Sequence, residues 1–524
     1  MPLGHGHRDR GMSLGRKSGD AERADQAGGE DETVVEPEQG NVLSHIISQL
    51  RPGADLSKVT LPTFILEPKS MLERITNFMA HPETLLPMTK IEDPVQRFVS
   101  VIKFYLSGWH IKPPGVKKPL NPILGEIFTC YWEYPDHTRG YYISEQTSHH
   151  PPKSSYFFMV PEHNIRIDGT LKPRSKFLGN SAASMMEGIA VLRFMNRGTS
   201  NGGEKYFVTQ PNMYARGILF GKMKYELGDH SSVRCPETGL IADIEFKTKG
   251  YFGGTYNAIG GTIKNEKSGE TLYEMSGMWS GEMICKNVKT GQKDVLFNAT
   301  HAKHTPPIVR PLEDQDERES QKLWYKTVIA IKESNHTAAT EEKTKIEDRQ
   351  RDETAKRQEQ GIDWHPKLFR RVHGGPGGPE EGEEDLDWIL NANIDGPTPE
   401  AKTKQILAVA PILKDQPKTQ EPQAVPSQQA RPTPQPPSQP QHTSQTQQTP
   451  VGQGQRDLID FGQTDSSVPA HSVPVRGSSL QQQTVQQGPN STAGLQEPLM
   501  PGHPVKRVDS LTKDLDEFVD APGN

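Results

Sequence analysis

The sequence predicts a mainly β fold with flanking helices (α+β), built around a large antiparallel barrel, and three observations carry that expectation. Short runs rich in aromatic and β-branched residues follow one another from Asn121 to about Asn298. Gly, Pro and Asn clusters punctuate them at close intervals, and no helix-sized segment is interposed regularly, which is the pattern of an antiparallel meander. Helical spacing of apolar residues is confined to the stretches before and after this zone.

Residues 1–40 are rich in Gly, Glu and Asp with almost no apolar side chain, so a disordered arm is expected. In NVLSHIISQL (41–50), Val42, Leu43, Ile46, Ile47 and Leu50 recur at helical spacing, and Pro52-Gly53 ends the pattern. That makes a short amphipathic helix, either an ordinary docking helix or one that touches a membrane. From Leu61 to about Ile111 the pattern is mostly helical, as in SMLERITNFM (70–79) and PVQRFVSVIKFYLSGW (94–109).

The strands follow as IFTCYWEY (127–134), YYISEQ (141–146), SYFFMV (155–160), IRIDG (165–169), AVLRF (190–194), YFVTQ (206–210), IADIEFKT (241–248), GGTIKN (260–265) and DVLFN (294–298). So many consecutive strands predict a closed barrel, and about ten of them leave a ligand cavity where a smaller barrel would fill with side chains. From about Ser320 helices return, including the highly charged TEEKTKIEDRQRDETAKRQEQG (340–361). Residues 415–524 form a tail dominated by Gln, Pro, Ser and Thr and are expected to be disordered, although SLTKDLDEFVDAPGN (510–524) regains apolar residues set in acid.

A chain of 524 residues with 44 Pro and 47 Gly is therefore expected to hold one large domain, residues 41–414, between long tails. Its net charge of -6 argues against a general nucleic-acid binder, whose phosphate contacts need a basic surface. Cys130, Cys235 and Cys285 have neither zinc-site spacing nor the density of a disulfide scaffold, which points to a cytoplasmic protein. No apolar run reaches the roughly 20 residues of a bilayer span, so contact with membranes is expected to be peripheral. No cofactor and no metal is expected.

Three clusters hold candidate functional residues. His149-His150 reads as metal ligands, as a general base or as an anion-facing pair, with backbone satisfaction of one ring as the bland alternative. Adjacent strand residues point to opposite faces, but Pro151-Pro152 turns the chain and lets both imidazoles enter one opening. In KPPGVKKPLNPILGE (112–126), Lys117 and Lys118 are either solvated charges or, with Asn121, a face for an anionic group. Lys343, Glu347 and Arg351 are spaced by four and share one helix face. They form either a surface ion-pair ladder or a site in which Glu347 orients two cations toward a phosphate, with Arg351 suited to a bidentate grip.

The octapeptide EQTSHHPP (145–152) closely resembles the signature EQVSHHPP of the oxysterol-binding-protein family, with Thr147 in place of the usual Val. The similarity runs from about Leu61 to about Pro411, through VKKPLNPILGE, FLGNSAASMMEG, YARGILFGK, FKTKGYFGGTYNAIGG, the helix of Lys343 and Arg351, and HPKLFRR. The resemblance implies a non-enzymatic lipid transfer protein whose large, incomplete barrel encloses a lipid tunnel behind an N-terminal lid at about 42–66. It implies that Lys118, Asn121, His149, His150, Lys343, Glu347 and Arg351 bind the head group of phosphatidylinositol 4-phosphate. VTLPTFILEPKSMLERITN (59–77) is similar to the phosphatidylserine-carrying branch of the fungal homologues. On that resemblance Leu61 and Ser175 join Lys118 and Asn121 in binding phosphatidylserine, a sterol exchanger or a lipid sensor being the alternatives.

EFVDAPG (517–523) resembles the motif by which cytosolic proteins bind VAP, a receptor of the endoplasmic reticulum. Glu517, Phe518, Asp520 and Ala521 match, whereas Val519 and Gly523 depart. The resemblance implies work at contacts between the endoplasmic reticulum and the plasma membrane.

Overall fold

The computed structural model describes residues 32–34, 43, 45–56, 59, 61–198, 202–218, 222–249, 253–372 and 386–416. All of them belong to one compact unit, Met1–Gln423. The tail beyond residue 416, with the Glu517 to Gly523 motif, lies outside the described residues, as does the N-terminal arm apart from 32–34.

The centre is a 14-stranded sheet, antiparallel throughout. In chain order its strands are β1 (Glu32–Val34), β4 (Ile127–Glu133), β5 (Arg139–His149), β6 (Pro152–Val160), β7 (Ile165–Phe177), β8 (Ser181–Phe194), β9 (Glu204–Val208), β10 (Asn212–Arg216), β11 (Lys222–Cys235), β12 (Leu240–Lys247), β13 (Ala258–Asn265), β14 (Thr271–Met278), β15 (Glu282–Asn287) and β16 (Lys293–Asn298). A separate parallel pair joins β2 (Leu66–Ser70) to β3 (Lys118–Leu120). Sequence neighbours pair along most of the path from β4 to β16, and β9 and β10 share the space between β8 and β11. From β4 to β8 and from β11 to β16 each strand thus pairs with the next in sequence, as the punctuation predicts.

Closure is where the residue-level expectation needs correction. Among the described residues no ladder joins β4 to β16, so the barrel is incomplete. Segment 308–319 lies along the open edge of β4 instead, with Tyr131 N donating to Ile308 O (3.0 Å), Ile308 N to Tyr131 O (2.7 Å) and Ile127 N to Arg318 O (2.9 Å). An edge strand is covered in this way without a partner strand.

The inner face wraps the helix Pro94–Ser107, which Asp93 caps by accepting from Gln96 N. Phe98, Ile102 and Tyr105 of this helix join Phe128, Trp132, Tyr142 and Phe158 of the first strands and Phe246, Ile263 and Met275 of the later ones in one core. On the outer face of β4 to β6, Tyr131, Ile143, Phe157 and Met159 lie under Leu368, Phe369, Trp388, Leu390 and Ile406. Burial on both faces explains why YYISEQ and SYFFMV read as near-continuous apolar runs.

Residues 70–79 are helical as expected but split into an α-turn, Met71–Arg74, and a 3-10 turn, Ile75–Met79. The charged helix is His336–Glu359, begun earlier than predicted because Asn335 caps it, accepting from Ala338 N. The expected helix at 42–50 is helical at residues 43 and 45–48. Leu43 packs with Met223, Ile47, Phe64, Ile65, Val116 and Ile218. The chain then crosses to β7, where Gly53 N donates to Phe177 O (2.7 Å) and Phe177 N to Ala54 O (2.9 Å). No helix among the described residues is long and apolar enough to cross a membrane.

Candidate functional site

The signature strand β5 ends at His149, and β6 begins at Pro152, with His149 opposite Pro152 in register. His150 and Pro151 make the turn, so the two imidazoles sit side by side, ring centroids 4.5 Å apart at 63°. Of the pair, His149 is half-buried and His150 is exposed. The ring of His149 faces the backbone of Pro122, which brings the hairpin to the KPLNP loop. Its Nδ1 is buried without a hydrogen-bond partner. Burial, followed by the neighbouring His150, pushes its pKa down to about 4, so the ring is neutral near pH 7. A buried nitrogen with no partner is an unmet cost that a ligand can relieve.

The loop is fixed to the strand by main-chain bonds, Gly125 N to Gln146 O (3.0 Å) and Gln146 N to Glu126 O (2.9 Å). Gly125 takes φ +75, and a Cβ there would lie 2.6 Å from the Trp364 ring, so only glycine fits. At the loop's start, Leu66 of β2 pairs with Lys118 of β3. Lys117 Nζ donates to Phe64 O (2.6 Å) and so holds the LPTF segment. Lys118 has the inward role: burial lowers its pKa, the ammonium of Lys343 lowers it further, and only Asp55 opposes them. Two ammonium groups brought together in a desolvated place are a receptor for an anion. Asn121 is exposed beside them, between Lys118 and Pro122.

The charged helix lies against the same loop. Gln350 Oε1 accepts from Leu124 N (2.7 Å), and near the helix start Thr63 Oγ1 meets His336 Nδ1 (3.3 Å). Lys343 Nζ is 2.6 Å from Glu347 Oε1. Arg351 departs from expectation. Glu347 was expected to orient two cations, but Arg351 pairs with Asp348 and stands mostly exposed. Spacing by four puts Arg351 within reach of Glu347, and a carboxylate three residues away on the same exposed face competes for it. The structure therefore sets His149 against Pro122 and Lys118 near Lys343 and Glu347 around one loop, with His150, Asn121 and Arg351 exposed at its rim.

Leu61 is half-buried just before the 3-10 turn Thr63–Ile65. Ser175 lies on β7 next to Lys176, which Asp55 bridges. Alternation with Ile167 and Leu171, both in the inner core, turns Ser175 toward the barrel interior.

Two carboxylates that sequence reasoning did not single out hold the site together. Glu126 is fully buried and accepts from Ser70 Oγ (2.5 Å), Ser320 Oγ (2.6 Å), Trp324 Nε1 (2.8 Å) and Ile123 N (3.1 Å). It ties loop, β2 and the helical region at a single point. Glu145, first residue of the octapeptide, accepts from Lys367 N and Leu368 N (2.8 Å each), and burial pushes its pKa up to about 7. The available signal was an acid inside an apolar run, in ILGEIF and YYISEQ.

Comparison with known proteins shows the family and the fold of the chain. The family model for oxysterol-binding protein matches residues 45–329 and 326–394. The chain is 52% identical over 406 residues to oxysterol-binding protein homolog 6 of Saccharomyces cerevisiae, covering 76% of this chain and 88% of that one. It is 51% identical over 384 residues to the oxysterol-binding protein-like protein OBPalpha of Candida albicans, covering 73% and 88%. Among solved structures, the Osh1 ORD domain in complex with ergosterol aligns with a TM-score of 0.56 at 24% identity, covering 70% of this chain and 89% of that one. The Osh3 ORD of Saccharomyces cerevisiae in complex with PI(4)P aligns with a TM-score of 0.50 at 22% identity, covering 70% and 92%.

Proposed function

The chain belongs to the oxysterol-binding protein family, and on that premise we propose that it exchanges phosphatidylserine for phosphatidylinositol 4-phosphate between membranes without making or breaking a bond. The observation that carries the head-group part is the buried, unpartnered Nδ1 of His149 in a site where Lys118 and Lys343 repel each other. A phosphate monoester meets both needs, since its oxygens accept from the ammonium groups and its charge favours a protonated imidazole. In this reading Lys118, Lys343, His149, His150 and Asn121 hold the phosphate, Glu347 orients Lys343, and Arg351 turns from Asp348 to the ligand. Leu61 and Ser175 receive the serine lipid, which shares Lys118 and Asn121.

Removing a two-chain lipid from a bilayer exposes about thirty methylenes, and at about 0.8 kcal/mol each the cavity must offset more than 20 kcal/mol. The apolar contacts of Leu43 and Ile47 and the crossing at Gly53 and Ala54 support a lid role for residues 42–66. With two lipids competing for one cavity, a gradient of the phosphoinositide drives the other lipid uphill. The proposal includes a cytoplasmic protein acting peripherally at contacts between the endoplasmic reticulum and plasma membrane, held there by VAP through Glu517, Phe518, Asp520 and Ala521.

The test is a double substitution, His149→Ala with His150→Ala, assayed by lipid extraction from liposomes. Phosphoinositide extraction is expected to be lost and phosphatidylserine extraction largely kept; equal loss of both would refute separate head-group contacts.

A further inference from the structure

We infer that Ser184 is a second hydroxyl donor in the head-group pocket and acts with Ser175 to select a lipid whose head carries a carboxylate. The inference rests on the phosphatidylserine reading above and comes from strand register. Ser184 of β8 is the direct partner of Ser175 on β7, and on its other side it faces Met213 of β10. Directly opposed residues of an antiparallel ladder share a face with Cβ atoms about 4.5–5.5 Å apart. That face is the inner one on all three strands, because Leu171, Met186 and Met213 pack in the barrel core.

The flanking pairs along the same inner stripe are Pro173 with Met186 and Phe177 with Ala182, both apolar. The two serines therefore form an isolated polar spot where burial disfavours one. Neither hydroxyl is used up by the protein. Ser184 Oγ reaches only Met186 Sδ at 3.5 Å, a weak acceptor, and Ser175 makes no side-chain hydrogen bond among the described residues. Both side chains are half-buried.

Paired hydroxyls at this separation can each donate to one oxygen of a carboxylate. Ethanolamine and choline heads offer no second acceptor group, so both O–H donors lack an anionic partner, although an ethanolamine ammonium can still donate to the hydroxyl oxygens. A hydrogen bond to a charged acceptor contributes about 1.5–3 kcal/mol, and its loss at one serine corresponds to a fall in affinity of tenfold or more.

The experiment uses the full chain, with Ser184→Ala and Ser184→Thr, and liposomes containing either phosphatidylserine or phosphatidylinositol 4-phosphate. Ser184→Ala is expected to lower phosphatidylserine extraction about tenfold and leave phosphoinositide extraction unchanged, and Ser184→Thr to restore the former to within about threefold of wild type. Wild-type phosphatidylserine extraction by Ser184→Ala, or an equal fall for both lipids, overturns the inference. Failure of the parent reading looks different, since the unsubstituted protein would then extract no phosphatidylserine.

Discussion

Replacing Glu126 by Ala tests whether one buried carboxylate holds the candidate site together. Four donors converge on it, from Ser70, Ser320, Trp324 and Ile123. The two hydroxyls can rotate, and Ser320 already reaches Ile127 O at 3.3 Å. The indole N–H of Trp324 and the amide of Ile123 have no such freedom, and each costs about 1–3 kcal/mol when left buried and unpaired. With the cavity left by the side chain, the loss sums to about 4 kcal/mol, offset in part because burial already disfavours the ionised acid. Glu126→Gln keeps an acceptor for the indole and the amide while its NH2 group faces rotatable hydroxyls, so about 1 kcal/mol is expected. Chemical denaturation of both variants reads the two values, and liposome extraction reads the site. Because Ile123 and Ser70 flank the Lys118 loop, Glu126→Ala should lose both lipids together. A change below about 1 kcal/mol with extraction intact would refute the reasoning.

Two pH effects follow from the same geometry. Glu145 has its pKa raised from an ordinary 4.5 to about 7 in the fold, so the folded state holds a proton that the unfolded chain releases. Its contribution is fully present below pH 4.5 and lost as pH rises through 7, roughly 3 kcal/mol in all; Glu145→Gln should flatten that part of the stability profile, and an unchanged slope would contradict the assignment. Burial, followed by His150, depresses His149 to about 4 from an ordinary 6.5, and an anionic head group favours its charged form. If binding restores the ordinary value, affinity for phosphatidylinositol 4-phosphate rises about fourfold between pH 7.5 and 6 by proton linkage. His149→Ala should lack that increment over the same range, which also cancels the titration of the lipid's own phosphate; equal slopes would contradict it.

Much of the barrel was legible in the residues because its strands alternate or run apolar between turns. Three of the stretches outside the named runs have physical reasons for their silence. The first half of β8, SAASMMEG, is made largely of small residues and so lacks a strand's usual bulk. β2 and β3 each contain a proline and pair in parallel, away from the main sheet. Closure was misjudged because a run of strands does not reveal that segment 308–319 covers an edge. In the site, the octapeptide and the four-residue spacing pointed to His149 and Lys343, but the partner of Arg351 depended on local competition from Asp348. Glu126 and Glu145 looked like isolated acids, since their partners come from segments distant in sequence.

The central claim is that one cavity exchanges two lipids in opposite directions. Its most direct measurement is phosphatidylserine transfer from donor to acceptor liposomes, with and without phosphatidylinositol 4-phosphate in the acceptors. The account predicts that the phosphoinositide accelerates phosphatidylserine transfer and moves the opposite way in equal amount. Transfer indifferent to the phosphoinositide, or movement of sterol with none of phosphatidylserine, would contradict it.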